Sequence, residues 1–116
     1  MLLKRPGEDP RIYVHTEDSP SRQRFTCAHE LGHYVRRTAA GDTEWEYVEH
    51  RDLLASQGSD PDEIYANQFA AGLLMPEERV RELYGRGLDR PVAVMAHAFG
   101  VSADAMNFRL ANLGLR

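Results

Sequence analysis

Ser19-Pro20-Ser21-Arg22-Gln23-Arg24-Phe25-Thr26-Cys27-Ala28-His29-Glu30-Leu31-Gly32-His33-Tyr34-Val35-Arg36-Arg37 reads as one helix, and its reading organises the rest of the chain. Ser19 followed by Pro20 is a helix-start signal, and no proline interrupts the run that follows. Advancing about 100° per residue, Phe25, Cys27, Ala28, Leu31, Gly32, Tyr34 and Val35 fall on one half of the cylinder. Thr26, His29, Glu30, His33, Arg36 and Arg37 fall on the other, so the helix is amphipathic with both histidines on its polar side. The pattern predicts Cys27 as a small buried side chain on the apolar arc. Arg36 and Arg37 suit the negative end of the helix dipole.

Working outward, residues 1–10 carry two prolines and a glycine among charges and predict an irregular lead-in, followed by a short strand over Arg11-Ile12-Tyr13-Val14-His15. Trp45 and Tyr47 alternate with Glu44 and Glu46 as an exposed strand does, and Gln57-Gly58-Ser59 reads as a turn. Asp60-Pro61-Asp62-Glu63 opens a second long helix, with Asp60 as N-cap and acids in the first turn. That helix runs to Met75, and Pro76 starts a short third one through Tyr84, ended by Gly85-Arg86-Gly87. Pro91 to Phe99 and Ala103 to Leu113 are two further helices around Gly100-Val101-Ser102. At helical spacing before a proline, Leu73, Leu74 and Met75 are expected in the core. The whole is an α+β pattern, mainly helical with a short antiparallel sheet, and 116 residues fit one domain.

Composition narrows the classes. Apolar residues make up 42% and charged residues 28%, ordinary for a globular chain and against wholesale disorder. A net charge of −4 gives no general attraction to nucleic acid or an anionic membrane. Cys27 is the single cysteine, which excludes an internal disulfide and a cysteine-rich zinc site and suits a reducing, cytoplasmic setting. Neither an export signal at Met1-Leu2-Leu3-Lys4-Arg5 nor a membrane span is expected.

The chemistry concentrates in His29-Glu30-Leu31-Gly32-His33. A four-residue step sets both imidazoles on one helix face, a turn apart, where they can grip one ion. Zinc suits imidazole nitrogens and a carboxylate, and a catalytic zinc site takes three protein ligands and leaves a position for water. The bland alternative is two surface histidines on a solvated face. The compact continuation that supplies a third histidine is missing, because Arg36 and Ala39 stand where its glycine and histidine belong. The third ligand must come from elsewhere, and Glu63, thirty residues after His33, is the best candidate. As the third helical residue after Asp60 it could instead complete a capping box. Against that being its whole role, Glu63 and Asn67 share their side with Ala66, Ala70 and Leu74, while Gln68 lies roughly 140° from Glu63. A carboxylate and an amide on an apolar side need partners, and two histidines with an ion would supply them. Glu30, angled away from the histidine pair, is placed to act as general base.

Two blocks, Arg24 to His33 and Glu63-Ile64-Tyr65-Ala66-Asn67-Gln68-Phe69-Ala70-Ala71-Gly72-Leu73-Leu74-Met75-Pro76, closely resemble the ImmA/IrrE metallopeptidase family. Ala98-Phe99-Gly100-Val101-Ser102 and Arg109-Leu110-Ala111-Asn112-Leu113-Gly114 look like that family's C-terminal segment. The resemblance implies a small zincin-like domain, one zinc on His29, His33 and Glu63, and Glu30 as base; Asn67, by its facing beside Glu63, could accept a hydrogen bond from a ligating histidine. It implies an endopeptidase whose protein partner is a helix-turn-helix repressor or an antitoxin, in mobile elements or stress responses. The 28 residues before His29 are fewer than the resemblance implies for a full cleft, so Ile12-Tyr13-Val14 or a partner must complete its edge. Two other functions compete: a metal-binding interaction module that binds its partner uncut, and a DNA-binding module using the helix-turn-helix spacing of residues 91–113. From Pro91 onward only Asp104, Arg109 and Arg116 are charged, which argues against nucleic acid. His97 is expected at the core or its rim, His15 and His50 at the surface. One of these, or Tyr47, Tyr65 or Arg109, would steady the developing oxyanion, and the sequence does not choose among them.

Overall fold

The computed structural model describes residues 1–41, 45–47, 60–86 and 91–116, with 45–47 and Arg86 described by their backbone alone. In chain order the elements are β1 (Leu2–Lys4), β2 (Arg11–Ile12), α1 (Pro20–Ala39), β3 (Trp45–Tyr47), α2 (Pro61–Leu74), α3 (Glu77–Arg86), α4 (Val92–Phe99) and α5 (Ala103–Asn112). This is a small α+β domain, mostly helical, with a short antiparallel sheet.

The starts of α1, α2 and α5 are those the sequence predicts, because each is decided locally; α3 and α4 begin at Glu77 and Val92, one residue after the prolines expected to open them. Ser19 Oγ accepts from the Arg22 backbone N–H at 3.3 Å, and Asp60 Oδ1 accepts from that of Asp62 at 2.9 Å. In each case proline occupies the first helical position, where the missing N–H costs nothing. Ser102 caps α5 through the Ala105 N–H at 3.1 Å. Between α4 and α5, Gly100 adopts φ +67°, and Val101 N–H reaches back to the Ala96 carbonyl at 3.0 Å. That is a left-handed helix stop, for which glycine carries no steric penalty.

The sheet departs from expectation. Residues 1–10 are not wholly irregular: β1 is the central strand of the order β2-β1-β3, antiparallel to both neighbours, with Leu2 opposite Ile12 and Tyr47. Leu2 is fully buried. A three-residue strand has too few positions for an alternation to be read, and it forms here because two partners flank it. The predicted strand over residues 11–15 contracts to Arg11–Ile12, although Met1 and Tyr13 exchange backbone hydrogen bonds at 3.1 and 2.9 Å that extend the ladder by one pair. The turn predicted at residues 57–59 lies outside the described residues, as does Gly87; Gly85 and Arg86, expected to end the third helix after Tyr84, are instead its last two residues, since a helix tolerates glycine at a cost of about 1 kcal/mol.

The buried face of α1 straddles the two predicted halves, taking Ala28 and Gly32 from the apolar one and His29, Glu30 and His33 from the polar one. Cys27, Leu31 and Val35 are exposed. The buried face is turned inward against α2 and the sheet. Leu73, predicted to be core, is also exposed, while Met75 is buried and Leu74 packs at the edge of the core. A separate apolar core joins the end of α2 to the last three helices through Met75, Val80, Met95, Met106 and Leu110, among others. His97 points away from it and is exposed. The helix pair over residues 91–113 thus spends its inner faces on this core.

Candidate metal centre

Helices α1 and α2 lie antiparallel, and their register brings the site together. Arg36 Nε pairs with Asp62 Oδ1 at 2.7 Å, and its guanidinium lies 5.1 Å over the Tyr65 ring. One turn back along α1, Gly32 faces Ala66. A Cβ added to Gly32 would stand 3.0 Å from Ala66 Cα and 3.0 Å from Phe69 Cβ, so only glycine permits this approach. The small side chains at Gly32, Ala66 and Ala70 let the two backbones come close, and that closeness delivers Glu63 to the histidines.

His29 and His33 sit edge to face, with ring centroids 4.8 Å apart and their Nε2 atoms separated by 3.2 Å. The Glu63 carboxylate bridges them, with Oε2 3.0 Å from His29 Nε2 and Oε1 3.2 Å from His33 Nε2. His29, His33 and Glu63 are all essentially buried. Asp60 caps α2 through the Asp62 N–H; Glu63 turns its oxygens to the imidazoles, where the capping-box alternative would turn them back toward Asp60.

The converging groups are of the kind that holds a cation. The two imidazole Nε2 atoms stand 3.2 Å apart, close to the separation of about 3.3 Å between ligands at about 2.05 Å from a tetrahedral zinc, and each nitrogen meets a different oxygen of the Glu63 carboxylate. Two imidazole nitrogens and a carboxylate also match zinc's preferred donors. Glu30 is a second carboxylate close by: one ligand atom from each of His29, Glu30 and His33 lies within 4.8 Å of the others. Of the two acids, Glu63 has the better claim as a ligand, because it comes from the opposite helix and meets both nitrogens at once. Glu30 shares α1 with the histidines and points about 100° away from His29 around the axis. It is fully buried, with the Met1 amino nitrogen 3.8 Å from Oε2, so the start of β1 lies against it.

Asn67 is buried one turn after Glu63 on the same face of α2. It also lines a partly open cavity of about 580 Å³ between α1, α2 and α5. Nothing in the sequence patterning pointed to this cavity; Phe25 on α1 and Phe108 and Arg109 on α5 meet there only through folding. Arg109, one of the oxyanion candidates, is half-buried in its wall, and its Nε donates to the Met75 carbonyl at 3.0 Å. Tyr65 is engaged with Arg36 and stacks near Phe69 at 6.3 Å. His15 and His97 are exposed, and His50 and the Tyr47 side chain lie outside the described residues. The Arg36–Asp62 and Gly32–Ala66 contacts were not anticipated, although the small residues facing each other on the two helices were a readable signal.

Comparison with known proteins shows the family to which the chain belongs. The family described as Peptidase_M78, IrrE N-terminal-like domain, matches residues 2–111. The radiation response metalloprotease IrrE of Deinococcus deserti is 32% identical over 102 residues, covering 86% of this chain and 35% of the relative. The radiation response metalloprotease IrrE of Deinococcus radiodurans is 32% identical over 101 residues, covering 85% and 30% respectively. The chain thus spans about a third of the length of these curated relatives. No solved structure matches it. Because the match takes in both helices that build the site and nearly everything between the first strand and the last helix, the chain belongs to the Peptidase_M78 family of IrrE N-terminal-like domains.

Proposed function

We propose that this chain is a zinc-dependent endopeptidase domain, acting in the cytoplasm on a protein partner. The observation that carries the proposal is the Glu63 carboxylate set against both imidazoles, Oε2 3.0 Å from His29 Nε2 and Oε1 3.2 Å from His33 Nε2, which gathers two nitrogens and one acid at one point. His29, His33 and Glu63 would hold the metal. When bound, zinc supplies Lewis acidity, polarising a carbonyl oxygen and making water acidic near neutral pH.

Glu30 then has one task at two moments. Its carboxylate takes a proton from the attacking water as the C–O bond forms, and returns that proton to the amine as the C–N bond breaks. Burial of Glu30 keeps bulk water from competing for that proton. Asn67, one turn beyond Glu63, would accept a hydrogen bond from a ligating imidazole and hold its orientation. The partner class we propose is a helix-turn-helix repressor or an antitoxin; the family resemblance supports it, and the relatives' description as radiation response metalloproteases is in keeping with a stress-response role.

The test is incubation of the zinc-loaded protein with the repressor encoded beside it, with Glu30→Gln as control. Discrete fragments formed by the wild type and lost in the variant are expected. Cleavage that persists in Glu30→Gln would refute the mechanism, and a stable uncut complex would favour a binding module instead.

A further inference from the structure

Metal chemistry leaves the cavity between α1, α2 and α5 unexplained. At about 580 Å³ it falls within the range of sites that hold a ligand. Phe25, Ala71 and Phe108 give it apolar wall, and Gln68 and Asn112 add amides. Among the described residues Arg109 is the only charged one in its lining.

Arg109 is placed as a receptor for an anion. Its Nε is fixed on the Met75 carbonyl at 3.0 Å, which commits one of its five N–H groups and pins the guanidinium plane. Burial is the largest influence on its pKa and lowers it; Glu77 opposes that, and Arg81 adds to it. Glu77 is already paired with Arg81, whose Nε lies 2.8 Å from its Oε2. Among the described residues Arg109 enters no ion pair. A half-buried cation whose nearest acid serves another arginine gains from a carboxylate that arrives with the ligand, and guanidinium matches carboxylate geometry with two parallel hydrogen bonds.

The cavity also lies within reach of the reacting bond. Asn67 belongs to both places, and Phe25 stands one turn before His29 on α1. One helical turn is about 5.4 Å, less than two residues of extended peptide at about 3.3 Å each. The near end of the cavity is thus one or two residues from a bond cut at the histidines, while Arg109 is held at the Met75 carbonyl, twelve residues beyond Glu63 along α2, about 18 Å of helix or about six residues of extended peptide. Resting on the peptidase reading above, we infer that the cavity is a substrate subsite for an acidic side chain, aspartate or glutamate, within about six residues of the scissile bond, and that Arg109 selects it.

The test is to digest a degenerate peptide library with the zinc-loaded protein and sequence the products. Aspartate and glutamate should be enriched over asparagine and glutamine by roughly tenfold or more at one place within about six residues of the cut. Arg109→Glu should reverse that preference toward lysine and arginine, which loss of the Met75 tether alone would not do. Because Arg109→Glu also removes that tether, Asn112→Asp is the second variant: it leaves the tether in place and should lower the acidic preference through a like charge. A flat profile in the wild type, or an acidic preference unmoved by both variants, overturns the subsite and leaves the peptidase reading standing. No cleavage of any peptide by wild-type protein with verified stoichiometric zinc overturns the peptidase reading and the subsite with it.

Discussion

Gly32→Ala adds a single carbon at the closest approach of α1 and α2, and its effect can be worked out from the contacts. The new Cβ would lie 3.0 Å from Ala66 Cα, 3.0 Å from Phe69 Cβ and 3.2 Å from Phe69 Cδ1. Carbon pairs settle at about 3.5–4.0 Å, so the helices must part by roughly 0.5 Å. Phe69 can adjust part of its ring, but Ala66 Cα is backbone and moves only with α2. Glu63 rides on the same helix, one turn away, and metal sites tolerate ligand displacements of only about 0.2 Å. Zinc affinity should therefore fall by about 10- to 100-fold, the range typical of disturbed ligand support.

The metal-free protein should respond less, because two terms oppose each other. Alanine in a helix interior gains about 1 kcal/mol over glycine, while overpacking costs about 1–3 kcal/mol. The net loss is about 0–2 kcal/mol, or a fall in Tm of up to about 8 °C for a domain of this size. Chelator competition gives the zinc affinity, and thermal unfolding with and without zinc separates it from stability. A Gly32→Ala protein that binds zinc as tightly as wild type and melts higher without metal would refute the argument that glycine sets the helix spacing.

Other substitutions isolate single roles. Glu63→Gln keeps the volume but removes the anionic ligand, and should abolish stoichiometric zinc at micromolar protein, as read by metal analysis after gel filtration. Glu30→Gln should retain one zinc per chain while cleavage falls by about 10²- to 10⁴-fold, measured by fragment appearance. Arg36→Ala breaks the half-exposed pair with Asp62 and the contact over Tyr65, and should cost about 0.5–1 kcal/mol in denaturant titration, less in high salt. Leu110→Ala empties a fully buried position in the second core and should cost about 2–5 kcal/mol, visible as a lower denaturant midpoint with unchanged slope.

What could be read in the chain was what neighbours in sequence decide. Ser19-Pro20, Asp60-Pro61 and Ser102 mark helix starts because each cap forms within a few residues. Gly100 marks a stop because its left-handed backbone excludes most other residues. The strand β1 was missed for the converse reason: Leu2–Lys4 has no local signature and exists through partners at residues 11–12 and 45–47. The buried face of α1 lies across the boundary between its apolar and polar halves, whereas hydrophobic patterning assumes that the apolar side goes inward. Here the inward side carries His29, Glu30 and His33, and Leu31 and Val35 are left exposed.

The sequence by itself determined that two imidazoles stand a turn apart on one helix and that an acid and an amide share one face of another, since helical periodicity alone places them. Only the tertiary structure decided that these faces meet. Gly32 against Ala66 sets how near the helices come, and Arg36 on Asp62 helps set their register. The same packing created the Arg109 cavity, whose walls come from three helices as distant in sequence as Phe25 and Phe108. Periodicity orients side chains about one axis, whereas the distance and register between two axes depend on the atoms that touch between them.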